Sequence, residues 1–201
     1  MLKNNVKGFF PHLLFISACI FLTSCATDMV VRPPIEAVRT EQNIEILKSI
    51  ENIAAHGDWF VTRGYKPTDD LVAIATNTPL SHAAIFDKER NQVIEADSHG
   101  VYATKLTDFI NKSHRILVIR PMWSTTESAV AAVKKSRGLI GKKYDFLGTV
   151  GINDPERYYC SELTVYAYSD YQRKNENLPK VIEPGQLYLW GQVQYDSRPR
   201  N

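Results

Sequence analysis

Apolar residues recur at helical spacing in three stretches of the chain. This period predicts helices from Ile35 to Ala54, from Ser124 to Leu139, and from about Cys160 to Tyr171. Gly57 follows the first helix and Gly141 the second, and glycine is the residue that most often ends a helix.

Shorter apolar runs between these helices are bounded by polar residues, glycine or proline. They predict strands at residues 57–62, 83–86, 92–96 and 115–120. Residues 71–75 are also apolar, but their pattern does not decide between helix and strand. Because the loops between the strands are short, antiparallel neighbours are favoured. The pattern therefore predicts one α+β domain.

The N-terminal pattern differs from the rest and has the layout of an export signal. Lys3 and Lys7 precede an apolar run from Leu13 to Leu22, and no acidic residue occurs before Asp28. The run is shorter than the roughly 20 apolar residues that span a bilayer. We therefore expect a secretory signal peptide here.

The run ends in Leu22-Thr23-Ser24-Cys25, which resembles a bacterial lipobox. By this resemblance Cys25 is lipidated and becomes the mature N-terminus. The implied division is residues 1–24 as signal peptide, 25–34 as lipid-anchored tether and 35–201 as the domain. Ala26 stands where an Asp would mark retention in the inner membrane, so the resemblance implies the periplasmic face of the outer membrane. An ordinary signal peptide or a buried N-terminal helix is the alternative.

Composition and charge narrow the class of protein. The 201 residues are 44% hydrophobic and 23% charged, a globular profile that excludes a disordered, collagen-like or coiled-coil chain. The 24 Lys and Arg exceed the 22 Asp and Glu only by Lys3 and Lys7, which leave with the signal. A neutral mature chain without a basic run gives no electrostatic basis for binding nucleic acid.

The three cysteines are too few for a disulfide framework, so each is considered separately. Cys19 lies in the signal and Cys25 at the anchor, which leaves Cys160 as a lone thiol. A buried, inert Cys160 is the alternative to a reactive one. However, Cys160 precedes the polar residues Ser161 and Glu162 and begins a predicted helix, whose N-terminus favours the thiolate. Cys160 is therefore the candidate nucleophile.

A nucleophilic thiolate needs a base, and the base needs a group that orients it. Of the five histidines, His82 stands at the start of a small apolar strand. The next predicted strand contains Glu95, which lies beside His82 if the two strands pair antiparallel. Asp97 is the competing orienting group. Alternatively, Glu95 faces solvent on an amphipathic strand.

Several segments, in this order, resemble the circularly permuted papain-like cysteine amidases of the NlpC superfamily, the YaeF/YiiX-type lipoproteins. They are Gly57-Asp58, Ser81-His82, Val93 to Ala96, Gly141 to Phe146, Tyr159 to Leu163, and Ile182 to Leu187. The resemblance implies a permuted papain-like fold in which an antiparallel sheet or barrel packs with helices and the catalytic Cys begins a helix. In unpermuted relatives the Cys precedes the His, whereas here His82 precedes Cys160.

When the family's motifs are matched to this sequence position by position, the resemblance implies that Cys160 is the nucleophile, His82 the general base and Glu95 the group that orients His82. Tyr144 and Tyr159 occupy matching aromatic positions. They are candidates for lining a substrate pocket, with a purely structural role as the alternative.

The implied reaction is acyl transfer through a thioester, which needs neither cofactor nor metal. Relatives suggest cell-wall peptides, other isopeptide bonds or lipid acyl groups as substrates. An acyltransferase and a non-catalytic envelope lipoprotein that binds peptides remain alternatives. Thr164 stands where the family commonly has Val, a change that affects no implied catalytic residue.

Overall fold

The computed structural model describes residues 30–173 and 176–200. The expected signal peptide, Cys19 and the lipobox with Cys25 lie outside these residues. No helix in the described ranges is both long and apolar enough to cross a membrane.

The described residues contain six β-strands in one antiparallel sheet. The strands are β1 (Trp59–Gly64), β2 (His82–Asp87), β3 (Gln92–Asp97), β4 (Gly100–Lys105), β5 (Ser113–Pro121) and β6 (Gly191–Asp196). Their order in the sheet is β4-β3-β2-β1-β5-β6. Every residue of β1 is buried, since it lies at the centre of the sheet with a layer of helices on each face.

Helices cover both faces of the sheet. Among the described residues they are α1 (Glu36–Ile53), α2 (Pro67–Thr76), α3 (Leu106–Asn111), α4 (Thr126–Gly138) and α5 (Cys160–Ala167). Because side chains alternate along a strand, Trp59 and Ile85 pack with α4 and α5 on one face. Phe60 and Phe86 pack with α1 and α3 on the other face.

Trp59 connects the sheet to the helix that begins with Cys160. Its side chain is fully buried, and its Nε1–H donates to the Thr164 carbonyl oxygen at 3.1 Å. Trp123 and Tyr168 approach its ring edge-on, with ring centroids 5.7 and 6.0 Å away. These contacts fix the position of α5 against β1.

The Gly57-Asp58 segment has a structural role. Gly57 has a φ of +83°, and the Tyr168 hydroxyl, which donates to the Gly57 carbonyl oxygen at 3.0 Å, lies where a side chain would be. The buried Asp58 accepts two hydrogen bonds from Arg120, at 2.9 and 3.0 Å. This pair joins the entry of β1 to β5.

The α+β class and the permuted papain-like fold expected from the sequence are confirmed. The predicted helices α1 and α4 end within about two residues of the observed bounds. The third helix was predicted too long, because α5 ends at Ala167 and a 3₁₀ turn, Ser169–Tyr171, follows it. The undecided residues 71–75 belong to α2. The elements β4, α3 and β6 were not predicted.

Candidate active site

Cys160 is the first residue of α5 and is 7% exposed. The helix begins here because Tyr159 has an extended backbone and Glu162, three residues on, accepts a hydrogen bond from the Tyr159 N–H at 3.2 Å. The first N–H groups of a helix have no acceptor within it. The Cys160 sulfur therefore lies beside backbone groups that favour negative charge.

His82 is the first residue of β2, and Glu95 lies on the neighbouring strand β3. Glu95 is paired with Ala84, two residues beyond His82, so both side chains project from the same face. The His82 Nε2 atom lies 2.6 Å from the Glu95 Oε2 atom. This confirms the adjacency predicted from the two strands.

The ring nitrogens of His82 have separate partners. An ionised carboxylate can only accept a hydrogen bond, so Nε2 carries the proton that is donated to Glu95. The Nδ1 atom is then the ring nitrogen available to Cys160, which lines the same cavity and whose interaction with His82 shifts the pKa of both groups. The structure therefore brings all three candidate residues together, with His82 between the thiol and the carboxylate.

Asp97, the competing orienting group, is bound elsewhere. It projects from the same face as Glu95, because alternate residues of a strand share a face. However, it accepts hydrogen bonds from the His99 backbone N–H at 2.9 Å and from the Tyr102 hydroxyl at 2.8 Å. The hydrogen bond to the His82 ring is made by Glu95.

Two partners of Glu95 were not identified from the sequence. The Thr104 hydroxyl donates to Glu95 Oε1, and the Lys112 ammonium donates to the same oxygen at 2.6 Å. The Glu95 side chain is 1% exposed, which excludes the solvent-facing alternative. Thr104 belongs to β4 and Lys112 directly follows α3, two elements that the sequence pattern did not reveal.

The three side chains shift one another's pKa. Burial alone would raise the pKa of Glu95, but the hydrogen bond from His82 and the positive charges of His82 and Lys112 lower it to about 2. Burial would lower the pKa of His82, yet its interactions with Cys160 and Glu95 raise it above its ordinary value. Burial would raise the pKa of Cys160, but its interaction with His82 lowers it instead. This pattern favours a thiolate–imidazolium pair.

A cavity of about 780 Å³ opens at Cys160 and His82. Its lining is largely apolar and includes Leu71, Val72 and Ala75 of α2 as well as Phe146 and Val150 of the loop before α5. Leu71 and Phe146 remain 66% and 60% exposed. Exposed apolar side chains beside a reactive group indicate a surface for an apolar part of a ligand.

The loop that carries Phe146 is held by Asp145. This buried carboxylate accepts hydrogen bonds from the Gly148 N–H at 2.8 Å and the Asp154 N–H at 3.0 Å. The conformation of this wall is thus set by an internal hydrogen-bond network.

Tyr144 and Tyr159 both line the cavity. The Tyr159 hydroxyl accepts a hydrogen bond from the Ile182 N–H at 2.9 Å, and burial raises its pKa to about 12. Tyr144 packs edge-on against Phe146, with ring centroids 4.8 Å apart. Burial and the nearby negative charge of Cys160 raise the Tyr144 pKa. Tyr159 therefore has a structural bond besides its place in the cavity wall.

The predicted Ile182–Leu187 segment also borders the site. Its 3₁₀ helix, Pro184–Trp190, follows Ile182, whose carbonyl oxygen accepts a hydrogen bond from the Ser161 hydroxyl at 2.5 Å. Any side chain at Gly185 would meet Thr78 at 2.8 to 2.9 Å, so glycine lets this segment approach the loop after α2 closely. The segment thus fixes the start of α5 from the side.

One group in the described ranges has the residue types of a metal site. Potential ligand atoms of His56, Asp87 and Glu89 lie within 4.8 Å of one another. Arg137 already donates to both carboxylates, at 2.5 to 2.8 Å. None of these residues lines the cavity at Cys160, so the group is separate from the candidate active site.

The fold and the site geometry define a papain-like protein in which the His-bearing strand precedes the Cys-bearing helix. A model of the family described as "Permuted papain-like amidase enzyme, YaeF/YiiX, C92 family" matches residues 59–185. The chain belongs to this family, which supports an amidase or peptidase enzyme.

Five solved chains are similar to this one. One is described as the crystal structure of metalloprotein yiiX from Escherichia coli O157:H7, with 24% sequence identity and a TM-score of 0.49. The alignment covers 58% of this chain and 65% of that chain, which is less than two thirds of its length. No curated protein matches.

Proposed function

We propose that this protein is a cysteine hydrolase that cleaves an amide or acyl bond through a thioester on Cys160. His82 transfers the protons and Glu95 orients the His82 ring. The observation that carries the proposal is the position of His82, which is hydrogen-bonded to the buried Glu95 carboxylate and lines the same cavity as the Cys160 thiol, whose pKa it lowers. A structural cysteine requires no such pair of partners.

The reaction follows from this arrangement. His82 takes the thiol proton, and the Cys160 thiolate attacks the substrate carbonyl carbon. The first N–H groups of α5 stabilise the oxyanion of the tetrahedral intermediate. The His82 imidazolium then protonates the leaving amine or alcohol as its bond to the carbonyl carbon breaks, which leaves the thioester.

Hydrolysis of the thioester repeats these steps with water. His82 accepts a proton from the water, whose oxygen attacks the thioester carbonyl. The second tetrahedral intermediate expels the Cys160 thiolate and releases a carboxylic acid. Glu95 remains ionised throughout and accepts the Nε2–H hydrogen bond, so His82 keeps the tautomer in which Nδ1 faces the sulfur.

The cavity walls support a substrate with an apolar group next to the scissile bond. Leu71 and Val150 are exposed, and both line the cavity that contains Cys160. Such walls suit an aliphatic acyl chain or an apolar peptide side chain. We therefore propose an amide- or acyl-bearing substrate, either a peptide, including a cell-wall stem peptide, or a lipid.

The proposal includes a place in the cell envelope. Lipidation at Cys25, within the Leu22-Thr23-Ser24-Cys25 segment, would anchor the chain to the outer membrane facing the periplasm. Mass spectrometry of the protein isolated from membranes tests this, because a diacylglyceryl modification is expected on Cys25. An unmodified chain that retains residues 1–24 contradicts it.

Two other functions are compatible with this fold and site. An acyltransferase resolves the thioester with an amine or alcohol instead of water, and a binding protein forms no thioester. A p-nitrophenyl ester hydrolysed in H₂¹⁸O distinguishes them. One ¹⁸O in the released acid supports hydrolysis, acyl transfer to an added amine supports the transferase, and the absence of turnover supports a binding protein.

The test of the catalytic assignment uses the native chain and Cys160→Ala. A thiol-directed amide probe should label the native protein, and peptide mapping should place the label on Cys160. Cys160→Ala should keep the circular dichroism spectrum and lose the label. Unchanged labelling of a folded Cys160→Ala protein contradicts the proposal.

A further inference from the structure

Lys112 contacts the candidate site through Glu95 and not through the sulfur. Its Nζ atom lies 2.6 Å from Glu95 Oε1, while Glu95 Oε2 contacts His82. The ammonium group also lies 5.2 Å from the centroid of the Phe109 ring and 6.0 Å from that of Tyr102. The Glu95 carboxylate is thus placed between two cationic groups, one on each oxygen.

We propose that Lys112 is a positioning residue that keeps Glu95 ionised and correctly oriented, and thereby sets the pH range in which Cys160 is reactive. This inference rests on the function proposed above. It adds a residue that acts through Glu95 and has no part in bond making.

The charge cycle of His82 explains why a second cation is needed. During turnover His82 alternates between imidazolium and neutral imidazole. If Lys112 were absent, Glu95 would be a buried carboxylate without a cationic partner whenever His82 is neutral, which is unfavourable. Glu95 could then take a proton and cease to be an ionised acceptor for Nε2–H. The fixed charge of Lys112 prevents this in both states of His82.

The contacts of Lys112 support a fixed position. Its side chain is 32% exposed, and the rings of Phe109 and Tyr102 lie beside the ammonium group. The Thr104 hydroxyl donates to the same Glu95 oxygen. The carboxylate is therefore held by three donors on three other strands or loops.

Other titratable groups around the cavity have partners of their own. The other titratable groups that line the cavity or act on Glu95 are Asp97 of β3, His99, Tyr102 of β4, Tyr144 and Tyr159 before α5, Glu183, and Lys66 and Asp69 at the start of α2. Lys66 lies 3.6 Å from Asp97, and Asp69 accepts a hydrogen bond from the Ser81 hydroxyl at 2.7 Å. The ammonium group that contacts Glu95 is that of Lys112.

The sign of the effect follows from the charge of Lys112. A positive charge near the site stabilises the Cys160 thiolate and disfavours the His82 imidazolium. Because Glu95 stays ionised beside the imidazolium, removing the Lys112 charge should move both limbs of the activity profile to higher pH, by roughly one unit or less. On the acid side this shift lowers the rate of Cys160 alkylation up to roughly tenfold at a fixed pH.

The experiment measures the rate of iodoacetamide alkylation of Cys160 against pH in the full-length chain, with peptide mapping to select Cys160. Lys112→Met removes the charge, and Lys112→Arg retains it. Lys135→Met is the matched control, because Lys135 likewise lies over a ring, Tyr166 at 4.4 Å, and pairs with Asp170 at 3.1 Å, outside the cavity.

We expect the alkylation profile of Lys112→Met to move to higher pH, and the profiles of Lys112→Arg and Lys135→Met to match the native one. If Lys112→Met does not fold, Lys112→Gln keeps a hydrogen-bond donor without the charge and should show the same shift. An unchanged profile in a folded, uncharged variant overturns the role of Lys112 alone. A native Cys160 that reacts like an ordinary thiol overturns the proposed function together with this inference.

Discussion

Glu95 pairs with Ala84, two residues from His82 on the β2–β3 ladder, and its carboxylate contacts the His82 Nε2 atom at 2.6 Å. The diagonal offset places the carboxylate behind the ring and leaves the other ring nitrogen for Cys160. The pairing register of two strands, rather than a loop, therefore fixes the orientation of the ring. A site held by sheet hydrogen bonds is already organised before substrate binds.

Glu95→Gln removes the charge behind His82 and keeps an acceptor of similar size. The imidazolium loses its stabilising partner, so the pKa of His82 should fall and the alkaline limb of the activity profile should move to lower pH. We expect kcat/KM to fall by roughly 10²-fold. The pH profile of p-nitrophenyl ester hydrolysis measures both effects. A shift to higher pH, the direction expected for Lys112→Met, contradicts the assigned role of Glu95.

Glu95 should also make folding stability depend on pH. Its pKa is about 2 in the folded protein, against 4.5 in the absence of interactions. A lowered pKa contributes stability above the unfolded value, and this stability is lost as the pH falls from about 4.5 to 2. The difference corresponds to a contribution on the order of 3 kcal/mol at neutral pH.

Urea unfolding at several pH values tests this contribution. The loss of unfolding free energy on acidification should be smaller in Glu95→Gln than in the native chain. Asp170→Asn, which changes an exposed carboxylate, serves as the control. Equal acid dependence in the native chain and Glu95→Gln is the contrary result.

The central elements could be predicted from the sequence because they are buried and therefore consist largely of apolar residues. Unbroken apolar runs in β1, β2 and β5 reflect burial on both faces, and neighbouring runs for β2 and β3 suffice to place His82 near Glu95. The antiparallel sheet and the helix starting at Cys160 follow from the same pattern.

The elements that escaped prediction are stabilised differently. Strands β4 and β6 form the two edges of the sheet, and most of their side chains are at least partly exposed. These strands are stabilised by main-chain hydrogen bonds, which do not require particular residue types and so give no hydrophobic pattern. The contact of Lys112 with Glu95 could not be predicted either. A lysine is ordinarily a solvated surface residue, and only the fold places this one beside Glu95.

Trp59→Phe should lower stability more than the same change at Trp123. The Trp59 indole is fully buried and its N–H satisfies the Thr164 carbonyl of α5, so phenylalanine leaves both a cavity and an unpaired acceptor. We expect a loss of about 2 kcal/mol. The Trp123 indole donates to Glu176 in a partly buried contact that water can replace. Chemical denaturation of both variants measures the difference, and an equal or larger loss for Trp123→Phe is inconsistent with it.

Leu71→Gln tests the apolar wall of the cavity. Leu71 lies on α2 facing the cavity and is 66% exposed, so polar substitution should leave folding stability within about 0.5 kcal/mol of native. A substrate whose acyl chain contacts this wall should lose part of its binding energy. For p-nitrophenyl esters we expect KM to rise roughly three- to tenfold with long acyl chains and little with acetate.

Ile74 provides the matched control for Leu71. It lies on the same helix and is 50% exposed, but it does not line the cavity. Ile74→Gln should leave KM unchanged for every chain length, because its side chain is remote from the bound acyl group. The rate of Cys160 alkylation by iodoacetamide should match the native rate in both variants, since neither substitution changes a charge. An unchanged KM for long-chain esters in Leu71→Gln, or an equal rise in Ile74→Gln, means that the acyl chain does not bind along α2. The proposed binding of an apolar group beside Leu71 is then wrong.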